Sequence, residues 1–541
     1  MNKATNIPEW LKTKGYLHLS PSLTIDNDWL RIKKQIENKE FISKYAFYPL
    51  IHSFIKERKY KKSDPQKHST SGRAHKHINS KNGASEKSEK LRPLHYASHF
   101  DSLIYGYYSS LLNEQYEKKL EESKKLFNSI TAYRKLKIDT KSNKGKGTIH
   151  FAKEVFDEIK KRSQYQKVAV LTFDIKGFFS SLDHQILKER WAYILNEEKL
   201  PKDHYNVFKS CTNFRYVLKD DLRTRRKKNG RKSEFDERKL SKIRREKGFK
   251  CFFESNADFR KHIKEGKLRI YDNPFRKTDI DNKKSMIGIP QGLPISAVLA
   301  NIYLYDFDKA IIENLVEQKN NYYRRYSDDI ILICNVEDIK NVKTYIEDLI
   351  KESKLEISTT KTETFVFDFL SYNSSNDTRL TSIRINNDGS QSINSPLIYL
   401  GFEFRGFNVV VKSTNLAKFY RRLISIIKRR AKRSIKGIEK DPNQKKAIYL
   451  NQIKKLYTSP LREIDSENND LKQKERKKSF LQLNKKGEYT LISKKVLSKK
   501  RNSNYVSYIK RCCEIFEDNS FKNQIRKSKH VVYTAIKKHL N

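Results

Sequence analysis

Asp328 and Asp329 stand side by side in "YYRRYSDDIILI", just before an apolar run that reads as a core strand. Two carboxylates at the mouth of a buried strand repel each other and resist desolvation unless positive charge compensates them. A third carboxylate, Asp174, closes another apolar run, "VAVLTFD". Two such strands side by side in an antiparallel sheet bring Asp174 and Asp328 together. Clustered carboxylates are oxygen donors suited to hard divalent cations. A pair of these ions about 4 Å apart activates an attacking hydroxyl and stabilises a leaving pyrophosphate in an in-line displacement. The plainer reading is a carboxylate pair neutralised by Arg324, Arg325 or Lys176.

A second stretch, "PQGLPIS", runs from Pro290 to Ser296 and feeds a helix. Gly292 permits close backbone approach and Pro294 stiffens the entry, so a flat ligand can lie against the turn. An ordinary loop-to-helix cap is the alternative.

The elements that must hold these residues follow from periodicity. Residues 1–55 read as helical, with Trp29, Ile32, Ile36 and Phe41 in step. Residues 56–93 are rich in Lys, Ser, His and Gly and read as a basic flexible loop. A helix resumes at Leu94 with Leu103, Tyr107, Leu111 and Tyr116 near one stripe. Val168–Phe173 is a buried strand, and the period turns helical from Ser181, with Asp174 at the junction. A second basic tract covers Arg223–Lys250. A charged helix spans Val336–Leu355, strand-like pieces lie at Thr364–Phe369 and Tyr399–Phe404, and the chain is helical and basic after Gly406. There Leu416, Phe419, Leu423, Ile426 and Ile427 share one stripe, while Lys418, Arg421, Arg422, Lys428, Arg429, Arg430, Lys432 and Arg433 occupy the other faces. One face packs on protein while the other tracks phosphates; a merely solvated basic face is the alternative.

The 541 residues suffice for two to four domains. Lys and Arg number 114 against 64 Asp and Glu, a formal net charge of +50. That excess implies a polyanionic partner, nucleic acid first and an anionic membrane surface second. Aromatic residues at 11% supply core and stacking surface. Five cysteines without paired spacing suggest neither a zinc knuckle nor a disulfide framework, and fit reduced thiols in the cytoplasm. The N-terminus lacks a signal-peptide apolar core and no run reaches the length of a membrane span, which disfavours the membrane reading. No internal repeat is present.

The order of the motifs resembles the reverse transcriptases over roughly residues 90–407. "FDIKGFFSSLDH" resembles their first catalytic motif, "GIPQGLPISAVLANIYL" their template- and nucleotide-contacting turn, and "YSDD" their Tyr-X-Asp-Asp hairpin. "LEISTTKTE" and "YLGFEF" resemble the two segments that follow. "RPLHYASHFDSLIYGYYSSLL" and "SITAYRKLK" resemble fingers segments. The resemblance implies an α+β right-hand polymerase, with fingers, a palm built on a small antiparallel sheet and a helical thumb followed by an extra helical C-terminal region. The expected layout is an N-terminal helical extension over 1–90, fingers over 91–167, palm over 168–406 with a basic insertion at about 219–285, and thumb with C-terminal domain over 407–541.

It further implies that Asp174, Asp328 and the backbone carbonyl of Ile175 hold two Mg2+ ions (Mn2+ is the substitute), with Asp329 completing the carboxylate cluster. Lys361 protonates the pyrophosphate, Gln291 and Gly292 contact template or nucleotide, and Arg134 touches the triphosphate. Phe179, five residues after Asp174, excludes a 2′-hydroxyl and favours dNTPs; its alternative is core packing beside Phe178. Ser327 separates the hairpin from the Gly-Asp-Asp of RNA replicases. Arg421, Arg422, Arg429 and Arg430 are the expected nucleic-acid contacts of the thumb, with an RNA template and a DNA product as partners.

Ala297 replaces the proline usual after "PQGxPxS", "NADFR" lacks the histidine of the retron motif, and no retron-type Val-Thr-Gly or endonuclease tail follows. "KYAFYPLIHSFIKERKYKK" and "RPLHYASHFDSLIY" are similar to the bacterial defence-associated set, the unknown-group and abortive-infection-like enzymes. That resemblance implies phage resistance, with a non-coding RNA or a second defence protein as partner and the oligomeric state left open. Two alternatives stand beside it: template-independent or protein-primed DNA synthesis at the same site, and a catalytically silent nucleic-acid-binding scaffold.

Overall fold

The computed structural model describes residues 7–23, 28–58, 61–62, 73–74, 76–78, 82–139, 144–222, 237–278, 282, 284–359, 361–371, 377–440, 450–458, 475–483, 489–497 and 503–540. The chain divides into two compact units, Met1–Arg134 with Val170–Glu363, and Lys135–Ala169 with Thr364–Asn541.

In the first unit, β1 (Leu50–Arg58) and β2 (Glu89–Tyr96) pair antiparallel, from Ile51 opposite Tyr96 to Arg58 opposite Glu89. Arg215–Leu218 joins β1 in parallel, and Tyr271–Asp272 lies beyond it. This corrects the expectation of helix at residues 50–55 and of loop at 56–58 and 89–93, whereas Trp29–Glu37 and Lys39–Ser43 are helical; residues 59–60, 63–72, 75 and 79–81 of the expected loop lie outside the described residues, and the boundary drawn at residue 90 cuts through β2. The base of the hairpin is buried at Leu50, Ile51 and His95, while Phe54, Ile55 and Leu91 are about half exposed further out. No single alternation of apolar and polar residues therefore marked the strands. α1 (His99–Glu121) starts at Ser98, whose Oγ accepts from the Asp101 amide at 3.2 Å. Its buried stripe is Ile104, Tyr108, Leu112, Tyr116 and Leu120, so Tyr107 and Leu111 lie beside the stripe rather than on it.

β3 (Val168–Asp174) is buried continuously from Val168 to Leu171. α2 (Ser296–Tyr303) and α3 (Tyr305–Ile311) follow the Gly-Pro turn, and β4 (Tyr322–Tyr326) and β5 (Asp329–Asn335) form an antiparallel hairpin with Tyr326 opposite Asp329. The strands lie side by side in the order β4, β5, β3. Ile330–Cys334 is buried without a break, as expected of a strand covered on both faces. Within the basic tract, Glu237–Lys247 is helical and buries Ile243; residues 223–236 lie outside the described residues.

In the second unit, the strands Glu363–Ser371, Thr378–Ile385 and Gln391–Ile393 form an antiparallel meander. Leu397–Tyr399, Phe402–Phe404 and Val409–Val411 form another. The helix Thr148–Ser163 brings Phe156 flat onto Phe404, ring centroids 4.6 Å apart, and next to Phe516 at 6.2 Å. α4 (Ser413–Lys440) buries Leu423 and Ile427 in a cluster with Ile453, Val532 and Ala535.

Candidate active site

β3 ends at Asp174 and β5 begins one residue after Asp328, so neighbouring strands deliver both carboxylates. The Ile175 amide donates to the Asp328 carbonyl at 3.4 Å. On the other edge, the Ser358 amide donates to the Asp174 carbonyl at 2.8 Å and the Lys176 amide to the Glu356 carbonyl at 2.8 Å. These bonds flank Ile175, whose own N–H and C=O point together toward the opposite edge, where Asp328 lies.

Asp328 has its pKa raised, first by burial and then by the charge of Asp174; Lys361 and Lys90 act in the opposite direction. That response requires Asp174 and Asp328 to be electrostatic neighbours. Lys361 Nζ lies 2.6 and 2.5 Å from the two carboxylate oxygens of Asp174.

Asp329 departs from expectation. It is exposed and sits opposite Tyr326, because consecutive residues leaving the turn project to different sides. Among the described residues no three His, Cys, Asp or Glu side chains gather as a metal-holding group. The structure thus brings two carboxylates, Asp174 and Asp328, next to the Ile175 carbonyl. This all-oxygen set fits a hard divalent cation that keeps several ligands from phosphate and water. Asp174, Asp328 and the Ile175 carbonyl would hold it, and when bound it supplies charge stabilisation to a transferring phosphoryl group.

The hairpin carrying Asp328 is fastened by residues that sequence reasoning left unassigned. Arg325 on β4 is fully buried and forks Asp308 of α3, Nε to Oδ1 at 2.8 Å and NH2 to Oδ2 at 2.5 Å. Its NH1 donates to Asn301 Oδ1 and to the Ser327 carbonyl, each at 3.2 Å. Tyr323 donates to the same Asp308 at 2.6 Å. Burial opposes the charge of Arg325, but the Asp308 carboxylate outweighs it and holds the pKa above its ordinary value. The available signal was the alternation of "YYRRY", which puts Arg325 in phase with buried Tyr323 and so demands an internal anion. Arg324 instead donates to the Asn128 carbonyl at 2.5 Å and lies over the Tyr322 ring.

The Gly-Pro turn is docked on both flanks. Ile289 donates to the Phe179 carbonyl at 2.7 Å, and Gly288 to the Leu182 carbonyl at 2.7 Å. His95 of β2 donates to the Gln291 carbonyl at 2.8 Å. Gly292 has φ +118°, and a Cβ there would lie 2.5 Å from the His95 carbonyl oxygen. The close approach expected of Gly292 is therefore made by a protein strand. Gln291 is half-buried, and Ser296 Oγ closes the turn on the Pro290 carbonyl at 2.6 Å. Phe178 is the buried ring of its pair, at 3% exposure, while Phe179 keeps an open edge.

Arg134 is the clearest correction. Its guanidinium is fully buried, forks Glu117 at 2.8 and 2.6 Å, and donates to the carbonyls of Phe127 and Ile130. A group so enclosed braces the end of α1 and is not presented to a triphosphate. On α4, Arg421, Arg422 and Arg429 are exposed and Arg430 is partly buried, on faces other than that of Leu423 and Ile427.

Residues 240–404 match the family described as "Reverse transcriptase (RNA-dependent DNA polymerase)". That segment is similar to a reverse transcriptase domain. The matched segment includes Gln291, Gly292, Asp328, Asp329 and Lys361, and begins after Asp174 and Phe179. The mixture of helices and antiparallel sheets agrees with the α+β class expected from the motifs. Among solved structures, the chain is similar to apo telomerase from Candida tropicalis truncated from its C-terminal domain, at 13% identity and a TM-score of 0.34, covering 60% of this chain and 53% of that one. It is also similar to telomerase from Candida albicans in complex with a fragment of telomeric RNA, at 9% identity and a TM-score of 0.31, covering 63% and 49%. The chain thus spans about half the length of these structures.

Proposed function

We propose that this chain is an RNA-directed DNA polymerase that copies an RNA template by divalent-metal-dependent nucleotidyl transfer. The observation that carries this reading is the juxtaposition of Asp174 and Asp328 beside the docked Pro290–Ser296 turn. Asp174, Asp328 and the Ile175 carbonyl hold Mg2+, and Lys361, resting on Asp174, carries a proton within reach of a leaving pyrophosphate. Phe179 closes the sugar side of the nucleotide site. Arg421, Arg422, Arg429 and Arg430 track the phosphates of the template–product duplex, with affinity that falls steeply as salt rises. From the resemblance of the N-terminal segments, the proposed setting is bacterial antiphage defence in the cytoplasm.

Primer extension tests this reading. The wild type, Asp174→Asn and Asp328→Asn are assayed with each dNTP, with and without an RNA template, in Mg2+ and in Mn2+. Templated incorporation by the wild type that both variants lose supports it. Incorporation independent of template identity replaces it with template-free synthesis. No incorporation by any of them, with RNA binding intact, leaves a nucleic-acid-binding scaffold.

A further inference from the structure

Tyr133 is an aromatic residue held in the left-handed region, φ +63°, with 49% of its surface exposed. A bulky residue with positive φ is a genuine outlier that persists only where its surroundings hold it. Its neighbours explain how the conformation persists. The Thr131 amide and hydroxyl both donate to the Arg325 carbonyl at 3.0 Å. The Ala132 carbonyl accepts from Asn301 Nδ2 at 3.0 Å. Arg134 is locked onto Glu117. Thr131, Ala132 and Arg134 are buried, and Tyr133 alone projects.

It projects at the catalytic hairpin. The Tyr133 hydroxyl and Ser327 Oγ lie 3.1 Å apart, and Ser327, next to Asp328, is itself left-handed at φ +59°. Tyr326 lies close enough to feel both Tyr133 and Asp329. The hairpin therefore has two dissimilar flanks. On one, beyond β5, lies β3 with Asp174 and the Lys361 that rests on it, while Ile130 bridges Arg325 on the far edge of β4. On the other stand Tyr133 and Tyr326. In an in-line displacement the leaving and attacking oxygens lie on opposite sides of the phosphorus. The cationic flank suits the leaving pyrophosphate, so the aromatic flank faces the attacking strand.

We propose that Tyr133 is a primer-contacting residue, its ring packing against the 3′-terminal nucleotide of the growing strand and its hydroxyl setting the ring on Ser327. The proposal rests on the polymerase reading of the same site. Base–aromatic stacking of this kind is worth roughly tenfold in affinity.

The test measures equilibrium binding of a dideoxy-terminated primer on an RNA template, with no chemistry required, alongside single-nucleotide extension kinetics. Tyr133→Ala is expected to weaken binding of the recessed primer terminus about tenfold while leaving the dNTP KM and the affinity for unprimed RNA within twofold. Tyr133→Phe, which keeps the ring, is expected to bind within about threefold of the wild type. Tyr133→Gly relieves the backbone strain and is expected to melt no lower than Tyr133→Ala while binding equally poorly, which separates contact from stability. Unchanged primer-terminus affinity in Tyr133→Ala, or an effect confined to the dNTP KM, overturns the proposal. Absent extension in the wild type overturns the polymerase reading, while the binding arm still decides whether Tyr133 touches a primer end.

Discussion

Arg325 and Asp308 form a fully buried, two-pronged ion pair directly beneath the turn that carries Asp328. Through Ser327 and Asn301 the same guanidinium reaches the hairpin tip and the helix after the Pro290–Ser296 turn. Breaking such a pair by removing one partner leaves a charge in a dry interior, at a cost of about 3–5 kcal/mol. Arg325→Ala is accordingly expected to lose that much stability in urea denaturation. The double variant Arg325→Met with Asp308→Leu is expected to recover only part of the stability and none of the extension rate, because the Tyr323 hydroxyl loses its acceptor and the Ser327 carbonyl its donor.

Gly292→Ala places a Cβ 2.5 Å from the His95 carbonyl and 2.7 Å from Leu94 Cδ1, at a φ that alanine rarely adopts. β2 or the turn must shift, at a cost of about 1–3 kcal/mol. The expected outcome is faster hydrogen exchange at the His95 amide, which is bonded to Gln291, together with a raised dNTP KM.

His52 Nδ1 and His95 Nε2 lie 2.8 Å apart in the interior, ringed by Phe214, Tyr216 and Phe275. Burial, then the neighbouring His52, pushes His95 down to about 3, and burial lowers His52. The unfolded chain takes up protons first, near pH 6.5, so this contribution to stability is complete above that value and is lost as pH falls toward 3. Denaturation midpoints measured from pH 7.5 to 5 should therefore fall, and the double variant His52→Gln with His95→Gln should show a shallower slope.

Asp328 responds in the opposite sense. With its carboxyl pKa raised, chiefly by burial, its favourable contribution is present at low pH and lost as pH rises through the shifted value. Asp328→Asn is expected to melt higher than the wild type at neutral pH without added metal. The difference should shrink as pH falls into the carboxylate range, and the same variant should extend no primer.

Phe179 keeps an open edge whereas Phe178 is buried. Phe179→Ala is expected to raise rNTP incorporation relative to dNTP at least tenfold, read by competition in primer extension. Phe178→Ala should instead lower stability by about 3–5 kcal/mol, as a core truncation does.

The half of the fold that carries the candidate site was legible because its signals are local. "VAVLTFD" and "SDDIILICN" are continuous apolar runs ending at carboxylates, and such runs read as strands buried on both faces. What escaped depends on pairing across long separations. β1 and β2 are strands because they meet each other and Arg215–Leu218, although their outer ends expose apolar residues and carry Lys and Arg. The same limit applies to Arg134. Its place in "AYRK" suggested a ligand contact, but its fate was decided by Glu117, 17 residues away. Asp329, expected to complete the carboxylate cluster, follows Asp328 directly in sequence, and strand alternation separates the two.

The helix Thr148–Ser163 finds its aromatic partners at Phe404 and Phe516, so its unit closes only after more than 350 further residues have been added. At the usual pace of roughly 5–20 residues per second, that is an interval of about 20–70 s during synthesis. During it Phe156, buried in the finished protein, gains Phe404 first and Phe516 last. A chain that stops before Phe404 therefore leaves Phe156 without either ring, an apolar surface of the kind chaperones cover.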